Sequence, residues 1–277
     1  MAIRNRGAST FRKKIRLHRI LEMKKISVGF IIGRETQHKY FAKILSQVFR
    51  INFVISMHSG LSDIDLWKKA ITIDDENLMP LLESHVLLRK KYAKEYLLPA
   101  GDEFPETYVH NISNSEELHS KDCIELISLK KPDILILYGA PVVKEQIIRL
   151  FNNTSIINIH NGLADFYRGG VANLMAFYEH NYKQAGLTVH SVVDKIDGGK
   201  IIKTLKAEYE KDDDPQKVAI RLVKKAPDLV IEGINDIFSN KQFPAYGKGK
   251  LNKMKEFKLS FLKDIYDSFE KGLHMID

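Results

Sequence analysis

Short β-branched apolar runs that alternate with helical segments constrain this chain more than any other feature. The run 26–33 (ISVGFIIG) ends in glycine and reads as a buried first strand. Residues 34–49 follow as a helix, with Phe41, Ile44, Leu45 and Val48 on one face. Residues 51–56 are a second strand, and this strand–helix–strand order predicts a parallel α/β sheet. Further strands are expected at 108–112, 133–138, 155–158 and 187–193. Helices are expected from Asn114 to about Lys130, where Pro132 closes the segment, and over 143–151. Asp212 to Pro215 is an acid-rich start for a helix towards Phe238, which Pro227 should kink or split.

The stretch 61–105 breaks the rhythm. Its helical spacing (Leu81, Leu82, Val86, Leu88) and the charged segment 89–95 predict an inserted helical pair. Trp67, Tyr92 and Tyr96 are read there as packing residues, since a stacking platform for nucleic acid needs a basic groove beside it.

Charge bears on partners. The net charge is +8, but residues 1–25 carry nine of the 43 bases and one of the 35 acids, which leaves 34 of each elsewhere. A neutral body argues against a broad nucleic-acid face. The basic leader lacks the apolar core of a secretory signal. It bears a faint likeness to an organelle transit peptide; the plainer reading is a basic extension ahead of a start at Met23. The longest apolar run, 134–143, is too short to cross a bilayer. The single cysteine, Cys123, allows neither an internal disulfide nor a thiolate metal site, and it points to the cytoplasm.

The first βα turn, Gly33-Arg34-Glu35-Thr36, has one glycine where a dinucleotide fold needs G-x-G-x-x-G, and no Walker-type loop occurs elsewhere. Chemistry concentrates later. Asn158-Ile159-His160 ends a strand, so the two polar side chains share one side of the sheet at its carboxyl end, where open α/β sheets hold ligands. An amide donor beside an imidazole suits a carbonyl that becomes an oxyanion. Taken alone N-x-H is weak, but Tyr167-Arg168-Gly169-Gly170 follows, then the strand Thr188-Val189-His190, then Asp197 in a glycine-relaxed turn.

Together these residues resemble the formyltransferases that use 10-formyltetrahydrofolate. That family's pattern is N-x-H, then P-x-Y-R-G, then T-V-H followed by D-x-G. It falls on Asn158, His160, Tyr167, Arg168, Gly169, Thr188, Val189, His190, Asp197 and Gly199, with Asp197 at 37 residues after His160 as in the family. The resemblance covers roughly residues 26–202 and departs from the family at Gly162 to Asp165, where leucine and proline usually follow the histidine. The insertion has no counterpart in the smallest members.

The resemblance implies a Rossmann-like, mostly parallel sheet of the formyltransferase fold, with the 61–105 helical insertion and a short C-terminal extension. Residues 24–243 would be the catalytic domain, between a basic N-terminal extension (1–23) and a tail (244–277). Asn158, His160 and Asp197 would be catalytic: the first two stabilise the oxyanion, and Asp197 holds His160 and relays the amine's proton. The formyl donor would lie against Ala140, Pro141, Val142 and Val143 and the loop bearing Asp194 and Ile196. Tyr167 and Arg168 would meet the acceptor, Arg168 either as a fork for anionic oxygens or merely tied to a neighbouring carboxylate. His190 is either a partner of Asp197 or a satisfied core histidine. No metal is called for.

The acceptor is expected to be a primary amine on a nucleotide-linked amino sugar, because the Y-R-G loop resembles the sugar N-formyltransferases most. Formyltetrahydrofolate hydrolysis, methionyl-tRNA and glycinamide ribonucleotide remain alternatives, as does a non-catalytic folate or nucleotide-binding module. No membrane contact is expected, and a homodimer is left open.

Overall fold

The computed structural model describes residues 23–151 and 155–275. The basic leader up to Glu22 lies outside them. Seven strands form the central sheet: β1 (Ser27–Gly33), β2 (Arg50–Met57), β3 (Val109–Ile112), β4 (Ile134–Tyr138), β5 (Ile156–His160), β7 (Gly186–Ser191) and β8 (Ile201–Lys206). A two-residue strand, β6 (Tyr167–Arg168), falls between β5 and β7 in the chain and pairs with β9 (Lys250–Leu251) in the tail. The sheet order is β3-β2-β1-β4-β5-β7-β8. The first five strands run parallel, and β7 and β8 are antiparallel.

The helices are α1 (Thr36–Ser46), α2 (Asp63–Ala70), α3 (Met79–Leu97), α4 (Ser115–Leu118), α5 (Lys121–Lys130), α6 (Glu145–Ile148), α7 (Ala172–Tyr178), α8 (Pro215–Phe238) and α9 (Leu259–Glu270). The helix expected from Asn114 is two, because Ser120 accepts from the Cys123 N–H and caps a new start. The helix expected over 143–151 is a single turn, α6. α8 runs unbroken through Pro227, which is buried on its apolar face. β8 escaped the sequence reading: only Ile202 of its six residues is fully buried, and Lys203, Thr204 and Lys206 dilute the apolar signal.

Period-two alternation sorts the strands onto two cores. Val28, Phe30, Ile32, Ile136, Tyr138, Ile157 and Ile159 pack under α1 and α8. Ile31, Ile55, Leu135, Leu137 and Ile156 pack under α5 and α6. Each fully buried Leu, Ile or Phe contributes roughly 1.5–3 kcal/mol. Asn158 and His160 are in phase with Ile156, so the strand pleat sends both to the α5–α6 face. Asn158 pairs with Leu137 on β4 and with His190 on β7, which brings the two polar residues side by side.

A further core joins the insertion to the tail. Ile71, Leu82 and Trp67 of the insertion pack with Phe177 of α7 and with Phe257, Leu262, Ile265 and Phe269 of the tail. Tyr92 packs with Leu97 and Ile220, while Tyr96 keeps an exposed face and crosses Tyr92 edge-on. Among the described residues, no helix is long and apolar enough to cross a membrane, and no cluster of side chains suits a metal ion.

Candidate active site

Asp197 is the centre of the polar cluster. It sits in the left-handed region (φ 48°), a conformation that Asp tolerates better than bulkier side chains. The loop that carries it turns tightly: at Gly199 a Cβ would stand 1.7 Å from the Ser191 carbonyl oxygen, so only glycine fits. The Asp197 carboxylate gathers four groups. Oδ1 accepts from Asn158 Nδ2 at 3.3 Å and lies 3.2 Å from His190 Nε2. Oδ2 accepts from the Gly169 N–H at 2.8 Å and lies 3.3 Å from His160 Nδ1. Burial pushes the carboxyl up, but the His190 contact, the His160 ring and the Gly169 N–H outweigh it and hold Asp197 down at about 2. It is a carboxylate at any working pH.

Both rings are fixed by their neighbours. His190 Nδ1 lies 2.9 Å from the Ser191 carbonyl, and its Nε2 lies 3.2 Å from both Asp197 Oδ1 and Asn158 Nδ2. His160 Nε2 lies 2.9 Å from the Tyr167 carbonyl and donates to it. That leaves His160 Nδ1 facing a carboxylate. Burial pulls the His160 pKa below its usual value, against the pull of Asp197, so the ring rests neutral. The pair therefore has one vacant proton position, between Nδ1 and Oδ2. It can accept a proton and stabilise it there.

The expected Tyr167-Arg168-Gly169 loop is close to this pair, but its side chains do not reach the cavity. The Tyr167 hydroxyl donates to Glu179 at 2.6 Å and accepts from Asn181 at 2.7 Å. Arg168 is 8% exposed; its Nε donates to the Gly249 carbonyl at 2.7 Å and its Nη1 to the Ile196 carbonyl at 2.8 Å. Its fork is filled by two backbone carbonyls, neither the anion nor the neighbouring carboxylate that the sequence suggested. The loop acts through its backbone: Tyr167 C=O on His160 and Gly169 N–H on Asp197. Thr188 fixes the chain after His160 by donating to the Gly162 carbonyl and accepting from the Ala164 N–H.

Above the cluster opens a cavity of about 630 Å³. Asn158, His160, His190 and Asp197 form its polar floor. Ala140, Pro141, Val142 and Val143 line one side, and Asp194 and Ile196 the loop opposite, so these sequence-chosen residues are brought together. Val142, Val193 and Ile196 expose apolar surface (62%, 41% and 43%) at its rim. Sequence reasoning missed Asn252, Lys253 and Met254, which close the cavity from the tail. They lie more than fifty residues beyond the motifs, and their only local signal was the glycine pair Gly247 and Gly249.

The comparisons with known proteins agree with this geometry. A family described as Formyl transferase matches residues 87–234, which include Asn158, His160, His190 and Asp197 and leave the tail outside. A methionyl-tRNA formyltransferase of Natranaerobius thermophilus is 23% identical over 156 residues, 56% of this chain and 50% of that protein. One from Staphylococcus aureus is 29% identical over 154 residues, 53% of this chain and 45% of its own. The chain thus spans about half the length of the curated relatives it matches. Among solved structures, a sugar N-formyltransferase from a Shewanella species superposes with a TM-score of 0.52 at 16% identity, covering 82% of this chain and 76% of that one. Glycinamide ribonucleotide transformylase 1 from Symbiobacterium toebii gives 0.53 at 19% identity, covering 83% and 94%. At such identities these structures share the fold. With more than half of its length matched by the family, and the Asn–His–Asp cluster inside the match, the chain belongs to the formyl transferase family.

Proposed function

We propose that this protein moves a formyl group from 10-formyltetrahydrofolate to a primary amine carried on a nucleotide-linked sugar. The observation that carries the reading is the Asp197–His160 pair, with its vacant proton position, on the floor of a cavity walled by apolar residues. The slot between Pro141–Val143 and Val193–Ile196 suits a flat aromatic ring, since its rim offers apolar surface to water. Bound there, the donor supplies an activated formyl group.

The chain's own residues do the rest. Asn158 Nδ2 has one hydrogen committed to the cluster, and its second is the donor for the oxygen that gains charge when the amine attacks. The attacking nitrogen becomes cationic and sheds a proton. Asp197 and His160 Nδ1 accept it and return it to the departing nitrogen as the old C–N bond breaks. The products are a formamide and tetrahydrofolate. Cys123, the single thiol, is buried on α5 against the sheet and takes no part. Tyr167 and Arg168 serve the site by shaping its loop.

A screen tests the reading. Wild-type protein with 10-formyltetrahydrofolate is offered nucleotide-linked amino sugars, glycinamide ribonucleotide and initiator methionyl-tRNA, and formyl gain is followed by mass. Rapid formylation of an amino sugar is expected. Formylation of the tRNA alone, or amine-independent formate release, would replace the proposed acceptor.

A further inference from the structure

The wall that closes the candidate-site cavity from the tail hangs between two anchors. Leu251, Asn252, Lys253 and Met254 form it. At its near end the Asn252 N–H donates to the Arg168 carbonyl at 2.9 Å, which ties the wall to the loop beside Asp197. At its far end a short 3-10 turn, Met254–Glu256, carries the chain to residues 71–74 of the insertion, just beyond α2. Met254 stands between the anchors. Its sulfur would lie 2.8 Å from a Cβ on Gly170, so it rests on the glycine loop that lines the same cavity.

The far anchor is densely bonded. The Thr72 N–H donates to the Phe257 carbonyl and the Leu259 N–H to the Thr72 carbonyl, both at 2.9 Å, which makes a parallel bridge between insertion and tail. Thr72 Oγ1 donates to the Lys255 carbonyl at 2.7 Å, and Lys255 Nζ to the Ile71 carbonyl at 3.3 Å. Asp74 accepts from the Ser260 N–H at 3.0 Å and from the Ser260 hydroxyl at 2.6 Å. Ser260 is the second residue of α9, whose own cap residue, Lys258, makes no side-chain cap bond. An acid 186 residues away in the chain therefore takes the place of the N-cap, at the positive end of the helix. Ile71 and Phe257 are buried beneath in one core, whereas Asp74 is exposed, so its bonds fix chain position rather than fill space. Residues 71–74 and 251–260 both lie outside the 87–234 span that the family matches.

We propose that Thr72 and Asp74 are positioning residues, which hold the 253–257 turn and thereby set where Met254 stands against a donor bound in the cavity. The proposal rests on the donor reading above and gives this part of the insertion a task at the site. A wall tied only at Arg168 samples many positions of Lys253 and Met254. Tied at both ends it presents one, and the donor has no ordering to impose when it binds. The floor depends on strand register and on Arg168, so release of the far anchor leaves Asn158, His160 and Asp197 in place. Donor affinity should fall while the chemical step persists.

Three measurements on the full chain test this: calorimetry with tetrahydrofolate, steady-state kinetics with a nucleotide-linked amino sugar as acceptor, and hydrogen exchange of the 250–257 amides. Asp74→Ala is expected to raise the Kd of tetrahydrofolate by at least about fivefold, to keep kcat within about twofold, and to speed exchange at 250–257. Thr72→Val keeps the side-chain shape, removes the bond to the Lys255 carbonyl, and should act in the same way more weakly. Asp74→Asn keeps an acceptor for Ser260 and should restore binding. Tyr266→Phe is the control for mere destabilisation. It breaks a different tail–insertion contact, with His85 at 3.0 Å, and should lower the melting temperature without changing the Kd or exchange at 250–257. An unchanged Kd in Asp74→Ala, an equal fall in kcat, or the same loss of affinity in Tyr266→Phe would overturn the proposal. If wild type binds no tetrahydrofolate, the donor reading fails and exchange decides. Faster exchange at 250–257 in Asp74→Ala then upholds the anchor, and unchanged exchange overturns it.

Discussion

Two walls of the candidate-site cavity are built in different ways. The floor comes from neighbouring strands: Asn158 and His190 face each other across β5 and β7, and His160 stands two residues further along. The closing wall, Leu251 to Met254, comes from the tail and is held by Arg168 through Gly249, by the Asn252 N–H on the Arg168 carbonyl, and by the Gly247 N–H on the Gly199 carbonyl. The floor is therefore specified by strand register, which a single slip would destroy. The wall is specified by long-range hydrogen bonds and can change without moving the floor. Chemistry should fail when the floor is altered, and stability or specificity when the wall is.

The largest expected effect is at the floor. Asp197→Asn keeps the shape but removes the charge and the proton acceptor, so turnover should fall by about 10³-fold while the melting temperature changes little. Steady-state kinetics and a thermal melt check this, and turnover within tenfold of wild type would refute the role.

Arg168 links the two walls. Arg168→Ala strips two buried carbonyls of a cationic donor, at a cost of roughly 2–4 kcal/mol, with a smaller loss of turnover as the Ile196–Asp197 loop loosens. Urea denaturation reads the stability. A variant as stable as wild type would mean that the tail wall does not depend on this residue.

The first βα turn and the insertion should reveal themselves through pH. Burial holds His38 at about 3 and His85 at about 4, both below the unfolded value near 6.5. The unfolded chain binds protons that the folded one refuses, so stability is full above pH 6.5 and is lost as pH falls towards 4. Each histidine contributes about 1.4 kcal/mol per pH unit in that window. Denaturation curves at pH 7, 6 and 5 should show this slope, and a flat profile would mean that both rings are charged in the fold.

The smallest effect belongs to the exposed part of the tail wall. Lys253→Ala should change turnover by no more than about threefold, since its side chain is exposed at the cavity rim. A hundredfold loss would move the tail from wall to floor.

The floor was legible in the sequence because its spacing is local. N-x-H puts two side chains on one face, and the following strand and glycine turn bring Asp197 back to them. The role of Arg168 was not legible, because its partners are 28 and 81 residues away and are backbone carbonyls, which no side-chain pattern announces. Trp67 and Tyr92 read correctly as packing residues, but nothing nearby showed that Trp67 would cross His85 edge-on, or that Tyr92 would bond Asp214 on the cap of α8. The tail was equally silent. Its partners, the insertion and α7, became visible only in three dimensions.

The most direct measurement follows the formyl carbon itself. Wild type and Asp197→Asn are each given 10-[¹³C]formyltetrahydrofolate and a nucleotide-linked amino sugar, and the label is divided by NMR between formamide and formate. We expect wild type to place the label in the formamide, only when amine is present, and Asp197→Asn to leave it on the donor. Label released as formate at the same rate with and without amine, or formamide made equally by both proteins, would contradict transfer at the Asp197–His160 pair.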